Sequence, residues 1–84
     1  MTKGQKISAK RFYNSLVLRN SKTGYFSDIT VNITGNYCFQ YEMNEEFSSF
    51  GLTLKHLIEE NDFEVIQNKV NPNKFLAIYN GCIV

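Results

Sequence analysis

Eighty-four residues are enough for one hydrophobic core and not for two, and a composition 43% hydrophobic and 14% aromatic excludes a disordered chain. The net charge of +1 conceals a split. Lys3, Lys6, Lys10, Arg11, Arg19 and Lys22 precede Asp28 with no acid among them, while the remainder holds eight acids against three lysines.

Residues 1–84 therefore read as a single domain, with 1–7 as a flexible basic arm. Ser8 is placed to cap a helix over about residues 8–18, in which Ala9, Phe12, Tyr13, Leu16 and Val17 recur along one side. The competing reading of that stretch is a strand with Leu16 and Leu18 on one face. Asn20-Ser21-Lys22-Thr23-Gly24 is a turn by composition. Beyond it, Ile29, Val31 and Ile33 alternate with Thr30, Asn32 and Thr34. Across Gly35-Asn36, Phe39, Tyr41 and Met43 alternate with Cys38, Gln40 and Glu42, which predicts a hairpin. A three-residue loop, Gly35 to Tyr37, pairs Ile33 with Phe39, Val31 with Tyr41 and Ile29 with Met43. A two-residue loop would mix the two faces.

Asn44 can cap a second helix with Glu45 and Glu46 in its first turn, and Phe47, Phe50, Leu54, Leu57 and Ile58 form its apolar stripe. Gly51 weakens that helix, which can instead start at Ser49. Strands over Phe63–Lys69 and Lys74–Tyr79 follow, joined through Asn71-Pro72-Asn73. The expected fold is α+β in the order α-β-β-α-β-β: an antiparallel sheet of about four strands with two helices on one face. The expected core is Phe12, Leu16, Ile29, Val31, Ile33, Phe39, Tyr41, Phe47, Leu54, Leu57, Ile58, Val65, Ile66, Leu76 and Ile78.

Chemistry is constrained by what the chain contains. Cys38, Cys82 and the lone His56 cannot supply the four ligands of a zinc site, and no cofactor motif is present, so neither metal nor cofactor is expected. The two cysteines read as reduced thiols, with a disulfide as the alternative. His56 reads as a partly exposed helix residue, and no nucleophile and base stand in a catalytic pattern, so the chain is not expected to be an enzyme. No apolar run approaches the roughly 20 residues of a membrane span, and Met1 to Lys10 is polar where a secretory leader is apolar. The chain is expected in the cytoplasm, with no membrane partner.

The basic tract supplies the positive expectation. Cations interleaved with aromatics suit a phosphate backbone and unpaired bases, so RNA, or another nucleic acid, is the expected partner. Lys6, Lys10, Arg11, Arg19 and Lys22 would contact phosphates, and Tyr25 would stack on a base. A protein-directed reading stands beside it: Glu45, Glu46, Glu59 and Glu60 could imitate nucleic acid and occupy a basic groove of a host enzyme. Exposed strand edges make a homodimer conceivable.

The succession Val31-Asn32-Ile33-Thr34-Gly35-Asn36-Tyr37-Cys38-Phe39, then a helix, then Phe63–Gln67 and Phe75–Tyr79, resembles the double-wing domain of the T4-type MotA transcription activators. That domain binds DNA, and the likeness, which covers the stretch from Ile29 to Tyr79, implies a hairpin, a helix and a second strand pair. It lacks the winged helix that precedes the double wing in that family, and no base-reading residue is transferred. In size and in its ten asparagines the chain is also similar to early host-takeover proteins of T4-like phages. Those include inhibitors of toxin–antitoxin and CRISPR nucleases. This likeness implies an inhibitor of a host nuclease or toxin acting in the host cytoplasm.

Overall fold

Ala9, Tyr13 and Leu16 are buried at successive offsets of four and three, and they give helix α1 (Lys3–Asn20) the stripe that seats it on the sheet. The structure, a computed structural model, describes the backbone of residues 3–80 and the side chains of residues 9–80. The helix starts well before Ser8, so residues 3–7, expected in a flexible arm, are helical from Lys3, and the strand alternative does not hold. Asn20 ends it: its Nδ2 donates to the Leu16 carbonyl at 2.9 Å, and its own carbonyl accepts from the Thr23 N–H and hydroxyl at 3.0 and 2.8 Å. Arg19 lies in the last turn, where a cation complements the helix dipole.

The chain then enters β1 (Gly24–Phe26), which the sequence reading had not assigned. It continues through β2 (Thr30–Val31) and β3 (Tyr37–Met43), and after the second helix forms β4 (Phe63–Gln67) and β5 (Lys74–Tyr79). All pairings are antiparallel, in the order β1-β3-β5-β4, with β2 also on β3. β1 and β2 follow one another along the same edge of β3. Phe26 pairs with Tyr41 and Thr30 with Cys38, so three residues oppose two, which is a bulge. Ser27 spans it, with its N–H donating to the Gln40 carbonyl at 2.9 Å and its Oγ accepting from the Gln40 N–H at 2.8 Å. The Ser27 carbonyl accepts from the Tyr13 hydroxyl, which ties α1 to the bulge.

The hairpin register differs from the expected one. Val31 pairs with Tyr37, not Tyr41, and Ile33 is fully exposed at the tip. The cause is side-chain chemistry in the loop. Asn32 Oδ1 accepts from the N–H groups of Thr34 and Asn36 at 3.1 and 2.8 Å and from the Thr34 hydroxyl at 2.8 Å. With Gly35 at φ 87°, these bonds close a loop over residues 32–36 before any Ile33 pairing can form.

Helix α2 (Phe50–Glu59) follows a single 3₁₀ turn over Glu45–Phe47, so the later start holds and the Asn44 cap does not. Asn44 makes no cap bond. Its Nδ2 donates to the Lys22 carbonyl at 3.2 Å instead. Gly51, Leu54 and Ile58 are the buried positions of α2. A Cβ on Gly51 would stand 2.7 Å from Phe75 Cε1 and 3.0 Å from Met43 Cγ, so the missing side chain sets how closely the helix sits on the sheet. The turn after the helix closes at Asp62, whose φ of 69° is left-handed, and the Asp62 carbonyl accepts from the Asn80 N–H at 2.7 Å.

Both helices cover one face of the sheet. Tyr37, Phe39, Tyr41 and Met43 of β3, Phe63 and Val65 of β4, and Phe75, Ala77 and Tyr79 of β5 point into this layer. The rings interlock: Tyr13–Phe39 at 5.0 Å, Phe12–Phe63 at 5.5 Å, Tyr41–Phe75 at 4.7 Å and Phe63–Tyr79 at 5.0 Å. Seven expected core residues are corrected: Val31, Ile33, Leu57 and Ile66 are exposed, Phe47 is half-buried beside the 3₁₀ turn, and Leu76 and Ile78 are half-buried on the opposite face of the sheet. Phe12 and Ile29 are half-buried against the core. For β5 both alternations are apolar, and the two rings Phe75 and Tyr79 take the inner face, leaving Leu76 and Ile78 on the outer one.

Candidate nucleic-acid interface

The basic tract folds into one helix and the turn after it. Lys10 and Arg11 are adjacent and exposed on α1; Lys6 belongs to the same helix, but its side chain lies outside the described residues. Arg19 is exposed in the last turn and Lys22 in the turn leading to β1. Nine residues separate Lys10 from Arg19, which places them about 13 Å apart along the axis and on opposite flanks of the helix. The structure therefore makes two cationic groups: Lys10 with Arg11 on the outer helix, and Arg19 with Lys22 at the α1–β1 corner.

Among the described residues, none of these four cations enters an ion pair. Lys55 and Lys74, from the acidic part of the chain, do: Lys55 Nζ stands 3.0 Å from Glu59 and Lys74 Nζ 4.0 Å from Glu42. The charge split of the sequence thus survives folding, with two of the acids, Glu42 and Glu59, answered by lysines of their own part of the chain.

Tyr25 is not with the helical cations. Its neighbour Phe26 stacks on Tyr41 at 5.7 Å inside the helix-covered layer, so Tyr25 points to the opposite, uncovered face, where it is 70% exposed. Along the chain it follows Lys22 by three residues. In register on that face, Tyr25 pairs with Glu42 and Glu42 with Lys74, while Gln40 pairs with Leu76 and Leu76 with Ile66. The alternation along the sequence puts Gln40 and Glu42 on the face opposite Phe39, Tyr41 and Met43. It does not join them to Tyr25 and Lys74, because that requires the β1–β3 and β3–β5 registers.

The acidic alternative is not gathered into one surface. Glu45 and Glu46 lie on the 3₁₀ turn and Glu59 and Glu60 at the far end of α2, so about 15 Å of helix separates the pairs. Glu59 is further occupied by Lys55 and by His56 Nδ1 at 3.9 Å. His56 itself is exposed. Cys38 is a free, half-buried thiol on the uncovered face, and Cys82 lies outside the described residues. Among the described residues no three His, Cys, Asp or Glu side chains converge to hold a metal ion, and no helix is long and apolar enough to cross a membrane.

No protein-family model, curated protein or solved structure matches this chain.

Proposed function

We propose that this protein is a non-catalytic nucleic-acid-binding protein, with RNA its preferred ligand, and that α1 and the turn after it make the phosphate contacts. The observation that supports this reading is the unanswered charge of Lys10, Arg11, Arg19 and Lys22: exposed, borne by one helix and its turn, and without an acid partner among the described residues. Cations so placed attract phosphates without regard to sequence. The preference for RNA is supported by the chain path. α1 leads into a strand and not into a second helix, so it is not half of a helix-turn-helix unit. A helix on a sheet with an exposed tyrosine suits unpaired strands better than a duplex groove. In this reading the protein restrains a host nuclease or toxin through the RNA on which that enzyme works, as the likeness to phage takeover proteins implies.

Fluorescence anisotropy against single-stranded RNA, single-stranded DNA and duplex DNA over a salt series tests it. Four contacts on a single strand predict that log K falls against log salt with a slope of roughly −3. Lys10→Glu with Arg11→Glu removes two of them. It is expected to halve that slope and leave the far-ultraviolet circular dichroism unchanged, because both side chains are in solvent. Absence of binding at low salt, or indifference to the double reversal, would refute the assignment. Binding to a basic protein that is lost on reversing Glu59 and Glu60, with no nucleic-acid binding, would support the protein-directed alternative.

A further inference from the structure

The helices leave one face of the sheet bare, and its chemistry is not that of a phosphate site. Tyr25, Glu42 and Lys74 form one cross-strand row, and Gln40 sits beside it in the next. Tyr25, Gln40, Tyr41, Glu42 and Lys74 line a depression of about 120 Å³. It adjoins a larger one of about 270 Å³ lined by Gln40, Ile66, Asn68, Lys74, Phe75 and Leu76. The two share Gln40 and Lys74, so the floor is continuous from the ring of Tyr25 to the aliphatic Leu76 and Ile66.

From these residues we infer that the row Tyr25–Glu42–Lys74, with Gln40, is a seat for one unpaired guanine base, an inference that rests on the nucleic-acid reading above. Each part of a guanine has a counterpart. Tyr25 offers an exposed ring at the sheet edge on which a base can stack. Glu42 is loosely held, with Oε1 4.0 Å from Lys74 Nζ and Oε2 3.4 Å from Asn71 Nδ2, so both oxygens can still accept. A carboxylate beside an ammonium matches the Watson–Crick edge of guanine, which presents the N1–H and N2–H donors next to the O6 acceptor. Adenine and the pyrimidines do not present two adjacent donors beside a carbonyl. Among the described residues the Gln40 side-chain amide makes no hydrogen bond, which leaves it available to the base or its ribose.

The position of the backbone follows from charge. Glu42 repels phosphate from the row itself, so the sugar–phosphate chain belongs at the rim, where the Arg19–Lys22 corner leads into β1 and Tyr25. Lys22 lies within roughly 11 Å of chain from Tyr25. Its carbonyl accepts from Asn44 Nδ2 at 3.2 Å, and the Asn44 N–H donates to the Thr23 carbonyl at 2.9 Å. Those bonds hold the basic corner against the Glu42 end of β3. A strand can therefore run from the Arg19–Lys22 corner over the β1 edge and lay one base on the uncovered face, while Lys10 and Arg11 attract its continuation on the other side.

The test is anisotropy of the full chain against uridine oligomers in which the central nucleotide is uridine, adenosine, guanosine or inosine. Guanosine is expected to bind about tenfold tighter than uridine or adenosine, and inosine, which lacks the exocyclic amine, to lose most of that gain. Glu42→Gln, nearly isosteric, should erase the guanosine-to-uridine affinity ratio, while the loss of its negative charge raises the affinity of every oligomer alike. Tyr25→Leu, which keeps an apolar strand residue, should lower affinity for every oligomer about tenfold with an unaltered circular dichroism spectrum. If the oligomers bind and respond to Lys10→Glu with Arg11→Glu, yet show no guanosine preference, no change of the guanosine-to-uridine ratio in Glu42→Gln and no effect of Tyr25→Leu, the seat is refuted and the phosphate reading stands. If no oligomer binds, both are refuted.

Discussion

Tyr41 occupies the centre of β3 between two rings, Phe26 at 5.7 Å and Phe75 at 4.7 Å, with its hydroxyl donating to the Gly51 carbonyl at 3.3 Å. Burial, and secondarily the charge of Glu59, push its ionisation well above the ordinary value of 10.0. Tyr13 is shifted the same way, first by burial and then by Asp28. The sign follows from proton count. Above the ordinary value an unfolded chain releases the phenolic proton that the folded chain retains, so stability falls as pH rises through and beyond that value. Tyr41→Phe should cost about 0.5–1.5 kcal/mol at neutral pH through the lost hydrogen bond, and should make the alkaline loss shallower. Urea unfolding of both proteins at neutral and strongly alkaline pH measures this. An equal alkaline loss in the two would show that Tyr41 does not titrate in the transition.

At the scale of the element, Gly51 reverses the usual ranking of helix residues. Alanine there would gain about 1 kcal/mol of helix propensity. Its Cβ would stand 2.7 Å from Phe75 Cε1, on a ring held against Tyr41, and such overpacking costs about 1–3 kcal/mol. Gly51→Ala is therefore expected to destabilise by about 1 kcal/mol, read as a lower urea midpoint with an unchanged slope. A raised midpoint would mean that α2 can lift without loss. From the sequence, Gly51 was legible only as a weakness in a helix, since its reason lies across the layer on Phe75. The elements themselves were largely readable. α1, α2, β3, β4 and β5 follow from apolar spacing, and the α2 start was one of two alternatives. Two of the failures share a physical root, the competition of local polar side chains with periodicity. Asn32 closes its loop ahead of Ile33, and Asn44 turns to Lys22 in place of capping. Where both alternations are apolar, as in β5, periodicity carries no information about which face is inner.

For the molecule as a whole, the cost of a core deletion is large beside the total. Eighty-four residues correspond to about 4–13 kcal/mol of folding stability. Phe39 contacts Tyr13, Tyr41 and Phe63 at centroid distances of 5.0, 6.4 and 5.7 Å, and it joins both sides of the layer. Phe39→Ala should remove about 3–5 kcal/mol and lower Tm by roughly 12–40 °C, or leave the chain unfolded, as thermal circular dichroism would show. A drop of only a few degrees would place the core elsewhere. The candidate site was half legible at this scale. The charge block needs no fold to be counted, and Tyr25 stood out beside it. That Tyr25 faces away from Lys10 and Arg11, and towards Gln40, Glu42 and Lys74, depends on a bulge and two registers that composition does not encode. The central pair of the sheet has a kinetic consequence. β4 and β5 meet through a short turn, and β2 meets β3 through a short loop, but Cys38 pairs with Ile78 across forty residues of chain. Closure of that long loop should be the slow event of folding, with local hairpins formed before it. The row Tyr25–Glu42–Lys74 straddles this last seam. A nascent chain released without its β5 would display the basic helix but have no base seat. Any oligonucleotide that fills the seat acts as a clamp on the two halves, and slows their parting more than it speeds their meeting.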